Sequence, residues 1–281
     1  MNVNAIKQKL ASLQKTEKSN DEKGPSLPKW KPTIGKQQIR VVPSKFDSDT
    51  PFTEMYFYYN IGKRKVIVSP LNFGEKDPIA EFAKKLRSAN DKEQWIMSKK
   101  LDYKTRYFAP IIVRGEEEKG VQYWEFGKEI YETFLNYAAD EEVGDFTDVL
   151  VGRDFKLTTV GPESTGTAYN KTTMSPTMKT LPLSTDSDEV EKWLEEQTDP
   201  KTSYKALPFE TIKEALQEWL VPDGEEDEEE VEEKPAPKYA IKTPTSVKVA
   251  EPTQNKVKKK ADEQFDDMFA DDEEENDGLP F

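Results

Sequence analysis

Basic and aromatic side chains are interleaved along residues 56–128, and this combination has the clearest possible chemistry in the chain. The residues concerned are Tyr58, Lys63, Arg64, Lys65, Trp95, Lys99, Lys100, Tyr103, Lys104, Arg106, Tyr107, Phe108, Trp124 and Lys128. Exposed rings can stack on unpaired bases, at roughly 1–3 kcal/mol per base, while Lys and Arg follow the phosphates. The pattern therefore predicts binding to single-stranded nucleic acid, since the bases of a duplex are already stacked.

The same rings have a structural alternative. Tyrosines in strands are often buried or half-buried, and successive side chains of a strand point to opposite faces. We therefore expect only one member of each neighbouring pair, such as Tyr107 and Phe108, to face a binding groove. Of these basic and aromatic residues, the group from Lys99 to Arg106 most strongly favours a role in binding nucleic acid over a purely structural role.

The composition removes several classes of enzyme. The chain contains no cysteine and no histidine, so disulfides, thiolate metal sites and imidazole-based catalysis are excluded. The acidic runs at 116–118 and 141–142 fit solvated surfaces, and the Gly161–Gly166 spacing lacks the Lys-Ser/Thr of a phosphate loop. We predict no catalytic residues, no metal and no cofactor. A magnesium-dependent nuclease is the third alternative.

Charge is unevenly distributed along the 281 residues. Residues 1–131 carry 25 Lys+Arg against 17 Asp+Glu, whereas residues 132–221 carry 8 against 18 and residues 222–281 carry 8 against 20. The overall net charge of −14 therefore conceals a basic N-terminal half. This asymmetry predicts a polyanion-binding region and an acidic region that competes for it.

The elements expected to position these residues are mainly short strands. Runs rich in Val, Ile, Phe and Tyr, punctuated by Gly and Pro, predict strands at 38–42, 52–59, 65–69, 107–114, 121–126 and 155–159. Apolar spacing and capping residues predict helices at 78–87, 128–138, 188–197 and 209–220. Residues 160–187, rich in Thr, Ser, Pro and Gly, are expected to form a long surface loop. The fold class is therefore mainly β, as a small barrel or sandwich, with added helices.

The two ends are expected to lie outside this core. Residues 1–27 are predicted to form a basic amphipathic arm and a linker, and residues 222–281 are predicted to form a disordered acidic tail. The stretch from Phe265 to Phe269 is interpreted as chance apolar residues within that tail, with a second short recognition element as the alternative. The tail ends in Asp277, Leu279, Pro280 and Phe281, an apolar hook on an acidic tether that suits docking on a basic pocket of a partner. With no apolar run of membrane-spanning length and no signal peptide, we expect a cytoplasmic protein.

Several segments, taken in order, resemble the single-stranded DNA-binding proteins of T-even-type phages. They are Ile39-Arg40-Val41-Val42-Pro43-Ser44-Lys45, Pro51-Phe52, Tyr107-Phe108-Ala109 to Val113, and Phe126-Gly127-Lys128-Glu129-Ile130-Tyr131. The resemblance covers residues 28–160. It implies an OB-fold core, a five-stranded Greek-key barrel that binds single strands in an electropositive cleft during replication, recombination and repair. It also implies cooperative self-association through the N-terminal arm, and recruitment of a polymerase, helicase loader or primase by the acidic tail.

The resemblance also assigns positions. It places cleft residues at Arg40, Lys45, Lys104, Tyr107, Phe108 and Trp124, and adds Trp95, Tyr103, Arg106 and Tyr169. The family's Cys-Pro-x-Cys zinc segment is replaced here by Asp77-Pro78-Ile79-Ala80. Without the metal, the helix from Pro78 is expected to be held by apolar packing through Ile79, Phe82 and Leu86. The family's compact basic arm motif is also missing.

A different class of protein fits part of the same sequence. An acidic protein-interaction or chaperone-like factor would use residues 222–281 to bind basic proteins, with the barrel serving only as a scaffold. Such a factor would not bind DNA.

Overall fold

The computed structural model describes residues 26–221 and 253–269. They form a mixed sheet with helices. The strands are β1 (Lys29–Trp30), β2 (Gly35–Val41), β3 (Thr53–Ile61), β4 (Arg64–Val68), β5 (Lys104–Val113), β6 (Gln122–Phe126), β7 (Asp154–Val160) and β8 (Lys171–Pro176). The helices are α1 (Pro78–Ser88), α2 (Lys92–Lys100), α3 (Lys128–Ala138), α4 (Pro162–Thr165), α5 (Ser187–Glu195), α6 (Phe209–Leu220) and α7 (Thr253–Phe269).

Strand β5 organises the sheet. The strand order is β1-β6-β5-β2-β7-β8, and β3 pairs with both β5 and β4. The first half of β5 pairs with β3, its middle with β6, and its last residues with β2, all in antiparallel register. Strand β1 is the exception, because it runs parallel to β6.

The chain divides into two compact units. The first unit comprises residues 1–57, 68–75 and 103–207, and the second comprises residues 58–67, 76–102 and 208–281. The sequence predicts a single core over residues 28–221, which ends where the acidic run begins. Residues 1–25, 222–252 and 270–281 lie outside the described part of the chain. The predictions of an N-terminal arm and of a terminal hook fall on these residues.

An aromatic cluster forms the core of the first unit. Phe134, on the predicted helix α3, is fully buried and contacts Phe126, Phe146 and Phe155 with ring centroids 5.0–5.8 Å apart. The strands supply alternate residues to this core, as the pairing of Ile39 with both Val113 and Phe155 illustrates. The helix predicted at 128–138 is therefore confirmed.

The opposite face of β2 holds a buried ion cluster. Arg40 Nη1 lies 3.1 Å from Asp154 Oδ1, and the Arg114 guanidinium donates to both Asp154 oxygens at 2.9 Å. Arg40 Nη2 donates to the backbone carbonyls of Asp148 and Leu181 at 2.8 Å. Burial alone would raise the pKa of Asp154, but hydrogen bonds from Arg114 and Gln38 and the charges of both arginines lower it. The cluster thus fastens the chain around residues 148 and 181 to the sheet.

Helix α1 of the second unit begins as the sequence predicts. Asp77 caps it, because its Oδ1 accepts from the backbone N–H groups of Ile79 and Ala80 at 3.0 and 3.1 Å, and Pro78 occupies the first turn. Ile79, Phe82 and Leu86 are buried, as expected for a helix held by apolar packing. Capping by Asp77 and apolar packing therefore hold this helix.

Helix α7 lies in the segment that the sequence predicts to be a disordered tail. Residues 253–269 are helical, and Ala261, Phe265 and Phe269 are buried. Their four-residue spacing places them on one face of the helix. The interpretation of Phe265 and Phe269 as chance apolar residues is therefore wrong.

Two further segments differ from the prediction for a common reason. Helix α2 was not predicted, and residues 160–187 contain α4 and β8 as well as loop. The buried residues of α2 are the polar Gln94 and Ser98, and β8 buries only Met174 among Thr, Ser and Lys. Neither segment therefore carries the apolar periodicity from which elements are predicted.

Candidate nucleic-acid interface

Five of the predicted contact residues lie inside the fold. They are Arg40, Tyr58, Tyr107, Phe108 and Trp124, all of them buried. A ring enclosed by protein offers no face to a base, and an enclosed guanidinium does not reach a phosphate. These five residues therefore have no accessible face for a nucleic acid.

The contacts of these residues explain why they are enclosed. Tyr107 stacks on Tyr131, with centroids 3.8 Å apart, and Trp124 meets Trp30 edge-on at 5.6 Å. Tyr58 donates a 3.0 Å hydrogen bond to Asp77. Strand alternation fails as a guide at Tyr107 and Phe108, because both faces of β5 are covered by separate apolar clusters.

The strand cluster, in the first unit, consists of Tyr56, Tyr103, Lys104 and Arg106. Tyr56 and Tyr103 lie with ring centroids 4.6 Å apart and their planes tilted by 44°, and Tyr103 is exposed. Lys104 is exposed, and Arg106 is oriented by Glu125, whose Oε1 lies 3.1 Å from its Nε. Burial, and then the charge of Glu54, raise the pKa of Tyr56.

The helix cluster, in the second unit, consists of Trp95, Lys99 and Lys100 on α2. Half of the surface of Trp95 is exposed, and Lys99 Nζ lies 5.2 Å from its ring centroid. Asp91 caps the helix by accepting from Glu93 N at 2.9 Å, which fixes the direction in which Trp95 projects. An exposed ring beside a cation is the arrangement that the sequence predicted here.

The hairpin cluster, also in the second unit, consists of Tyr59, Lys63, Arg64 and Lys65. Tyr59 is exposed because its neighbour Tyr58 points inward, and three cations follow across the β3–β4 turn. Gly62 begins this turn with φ +55°, and a Cβ there would lie 2.5 Å from the Ala215 carbonyl oxygen. Glu218 lies 3.5 Å from Lys63 Nζ. The turn is thus fixed against α6 and presents basic side chains.

The remaining predicted residues are exposed but lie outside these clusters. Lys45 Nζ donates to the Glu195 carbonyl at 2.7 Å, and Lys128 pairs with Glu132 at 3.3 Å. Tyr169, which is 81% exposed, occupies the loop between α4 and β8. Neither lysine contact involves an aromatic ring, so these three residues are candidate peripheral contacts.

A polar cleft in the first unit was not predicted from the sequence. It has a volume of about 780 Å³, and Lys36, Arg114 and Lys156 supply its positive charge. Gln38, Thr158 and Ser175 contribute hydrogen-bonding groups to the same walls. The alternation of Lys156 and Thr158 with buried neighbours in β7 was the available signal. The three basic residues are far apart in the sequence, so no local cluster of charge marks the cleft.

The segment aligned with a zinc site does not fit a metal. Asp77 already caps α1 and accepts from Tyr58, and the sequence supplies no Cys or His. Within residues 26–221 and 253–269, no group of three or more acidic, His or Cys residues could hold an ion. The same described residues include no helix long and apolar enough to cross a membrane.

Comparison with protein families gives one match. A family profile described as gp32 DNA binding protein like matches residues 34–218, about two thirds of the chain. The strand, helix and hairpin clusters all fall within this range, whereas α7 lies outside it. The search of curated proteins found no match.

Proposed function

We propose that this chain, which belongs to the family of gp32-like DNA-binding proteins, binds single-stranded DNA without sequence preference. The observation that carries the proposal is the pairing of exposed rings with cations on well-held elements. Trp95 with Lys99 on α2, and Tyr103 with Lys104 at the start of β5, are the two examples. Both lie in the part of the chain that matches the DNA-binding family.

The mechanism follows from the chemistry of those groups. The exposed rings, Trp95 and Tyr59 in the second unit and Tyr103 in the first, each stack on an unpaired base, and the neighbouring lysines and arginines neutralise phosphates. Release of counterions from those phosphates contributes to the affinity, so binding weakens steeply with salt. Because every base has a π face, such binding tolerates any sequence. The protein acts by binding, without catalysis.

The sheet of the first unit supports assignment to the OB-fold. A long antiparallel strand, β5, pairs with β2, β3 and β6, and β2 also pairs with β7. Antiparallel pairing of this kind is expected in the OB-fold, a five-stranded, partly open Greek-key barrel. We propose that this barrel, with its helical additions, is the DNA-binding core within residues 28–221.

We further propose that the protein coats and protects unwound DNA during phage replication, recombination and repair, in the host cytoplasm. The acidic tail from residue 222 would recruit replication proteins, and its tip at Asp277, Leu279, Pro280 and Phe281 would enter a partner's pocket. The N-terminal arm at 1–27 would support self-association on DNA. The charge asymmetry and the terminal apolar hook of the sequence support these roles.

Titration with a dT oligomer tests the proposal. The chain has five tryptophans: Trp30, Trp124 and Trp193 are buried, Trp219 on α6 is half-buried, and Trp95 is the most exposed. Quenching on titration should therefore arise mainly from Trp95, and Trp95→Phe should abolish most of it while Tyr103 still stacks. An acidic protein-interaction factor predicts no change in fluorescence in either protein, and that result would reject the proposal.

A further inference from the structure

Helix α7 occupies a groove formed by helices α1, α2 and α6 of the second unit, which we call the α7 groove. Phe265 meets Phe82 of α1 edge-on, with centroids 5.7 Å apart. Phe269 lies 6.0 Å from Phe209 of α6 and 4.8 Å from Phe265. Two phenylalanines, one helical turn apart, are therefore the apolar anchors of α7.

Polar contacts surround these anchors and match in charge. Lys85 of α1 donates to the Gln264 carbonyl at 3.0 Å and pairs with Asp267 at 3.1 Å. Lys213 of α6 lies 5.2 Å from the centroid of the Phe269 ring. Near the other end, Lys260 Nζ is 3.3 Å from Asp91, the capping residue of α2. The groove thus selects an amphipathic helix with Phe at positions i and i+4 and an acidic residue between them.

The covalent connection does not require α7 to bind its own chain. Residues 221 to 252, a stretch of 32 residues, separate α6 from α7. An extended chain of this length spans at most about 110 Å. A groove on a neighbouring copy is therefore within reach of the same helix.

We propose that α7 exchanges between copies, so that the groove of one chain accepts α7 of a second copy. Every copy carries one groove and one α7, and the exchanged contacts are identical to those within one chain. Exchange of an identical element is a low-cost route to association for this reason. The competing intramolecular contact has an effective concentration in the mM range, so exchange becomes substantial as the concentration of copies approaches that range. This inference concerns self-association and does not depend on the proposed DNA binding.

The absence of cysteine from the sequence allows a direct test on the full-length chain. Lys85→Cys and Asp267→Cys remove one ion pair, whose side chains are 32% and 82% exposed, but keep the Phe265 and Phe269 anchors, so the fold and the docking of α7 should persist. Two single-cysteine chains are mixed and treated with a short thiol-to-thiol cross-linker. Exchange predicts a covalent heterodimer that grows with protein concentration and falls when excess parent chain is added.

Two controls keep the test decisive. Lys85→Cys mixed with Met178→Cys, a fully surface position in the first unit, measures random collision and should give at least about tenfold less product. The double variant Lys85→Cys/Asp267→Cys reports docking within one chain. Efficient cross-linking in the double variant with no heterodimer above collision would overturn exchange. No cross-link in either experiment would overturn the docked position of α7 itself.

Discussion

An exposed indole beside an ammonium group is the smallest working part of the proposed interface. Trp95 projects from a capped helix, and Lys99 covers one part of its ring. The indole can still stack on a base because half of its surface is open. The lysine gains a phosphate contact at the same step, so one turn of α2 supplies both kinds of interaction.

Truncation of this ring should weaken binding without harming the fold. Trp95→Ala is expected to cost about 1–3 kcal/mol of binding free energy to a dT oligomer, the range for one stacked base. Ile96→Ala truncates an equally exposed neighbour that has no π face, and should leave affinity unchanged. Fluorescence anisotropy of a labelled oligomer measures both, and an equal loss in the two variants would contradict stacking at Trp95.

The buried ion cluster gives a prediction about stability. Asp154→Asn leaves Arg40 and Arg114 without their shared carboxylate, which should cost about 3–5 kcal/mol of unfolding free energy. Because the folded state lowers the pKa of Asp154, its stabilisation is present above the ordinary value near 3.8 and is lost as pH falls below it.

Urea unfolding at pH 7 and at acidic pH measures this effect. The difference between parent and Asp154→Asn should shrink as the pH falls below about 4. Lys119→Ala, which breaks the surface pair with Glu116, should cost under about 1 kcal/mol. A surface-like cost for Asp154→Asn would show that the cluster does not stabilise the fold.

At the scale of elements, the sequence predicts best where apolar residues recur with a clear period. Helix α3 begins and ends where Ile130, Phe134 and Tyr137 indicate, and α1 follows its Asp-Pro start. Helix α2 escaped prediction because its buried side chains are polar, and strand β8 because it buries a single apolar side chain, Met174. Burial of Tyr107, Phe108 and Arg40 escaped it as well, because residue type does not reveal that both faces of β5 and β2 are covered.

The β3–β4 hairpin offers a test of how an element positions the interface. Gly62→Ala should destabilise the protein in two ways, through the left-handed φ and through a clash with the Ala215 carbonyl. Gly74→Ala shares the positive φ, at +73°, but its Cβ would meet no atom within 4 Å. Thermal unfolding should show the larger loss for Gly62→Ala, by at least about 1 kcal/mol beyond the roughly 1 kcal/mol left-handed penalty. Equal losses would mean that α6 does not fix the hairpin.

For the whole molecule, charge separation is the dominant feature. The basic N-terminal half contains the three clusters, whereas the residues after 221 carry a net charge of −12. Two like-charged polymers, the acidic tail and DNA, compete for the same cations when both are near them. Sequence alone was sufficient for this prediction, because it depends on charge rather than on packing.

Neutralising part of the acidic region should therefore strengthen DNA binding. Replacing the glutamates of residues 225–233 with glutamine is expected to raise affinity for a dT oligomer roughly tenfold at low salt. The gain should vanish near 1 M salt, where the Debye length is about 3 Å. Replacing the same glutamates with aspartate keeps the charge and serves as the control. An unchanged affinity for the glutamine variant at low salt would reject competition.

The central claim is that exposed rings and cations bind unpaired DNA. Its most direct test compares the affinity for a dT oligomer with that for a duplex of equal length, at two salt concentrations. The account predicts clearly tighter binding to the single strand at both concentrations, with affinity that falls steeply between them as counterion release requires. Equal affinity for the duplex, or no dependence on salt, would contradict it.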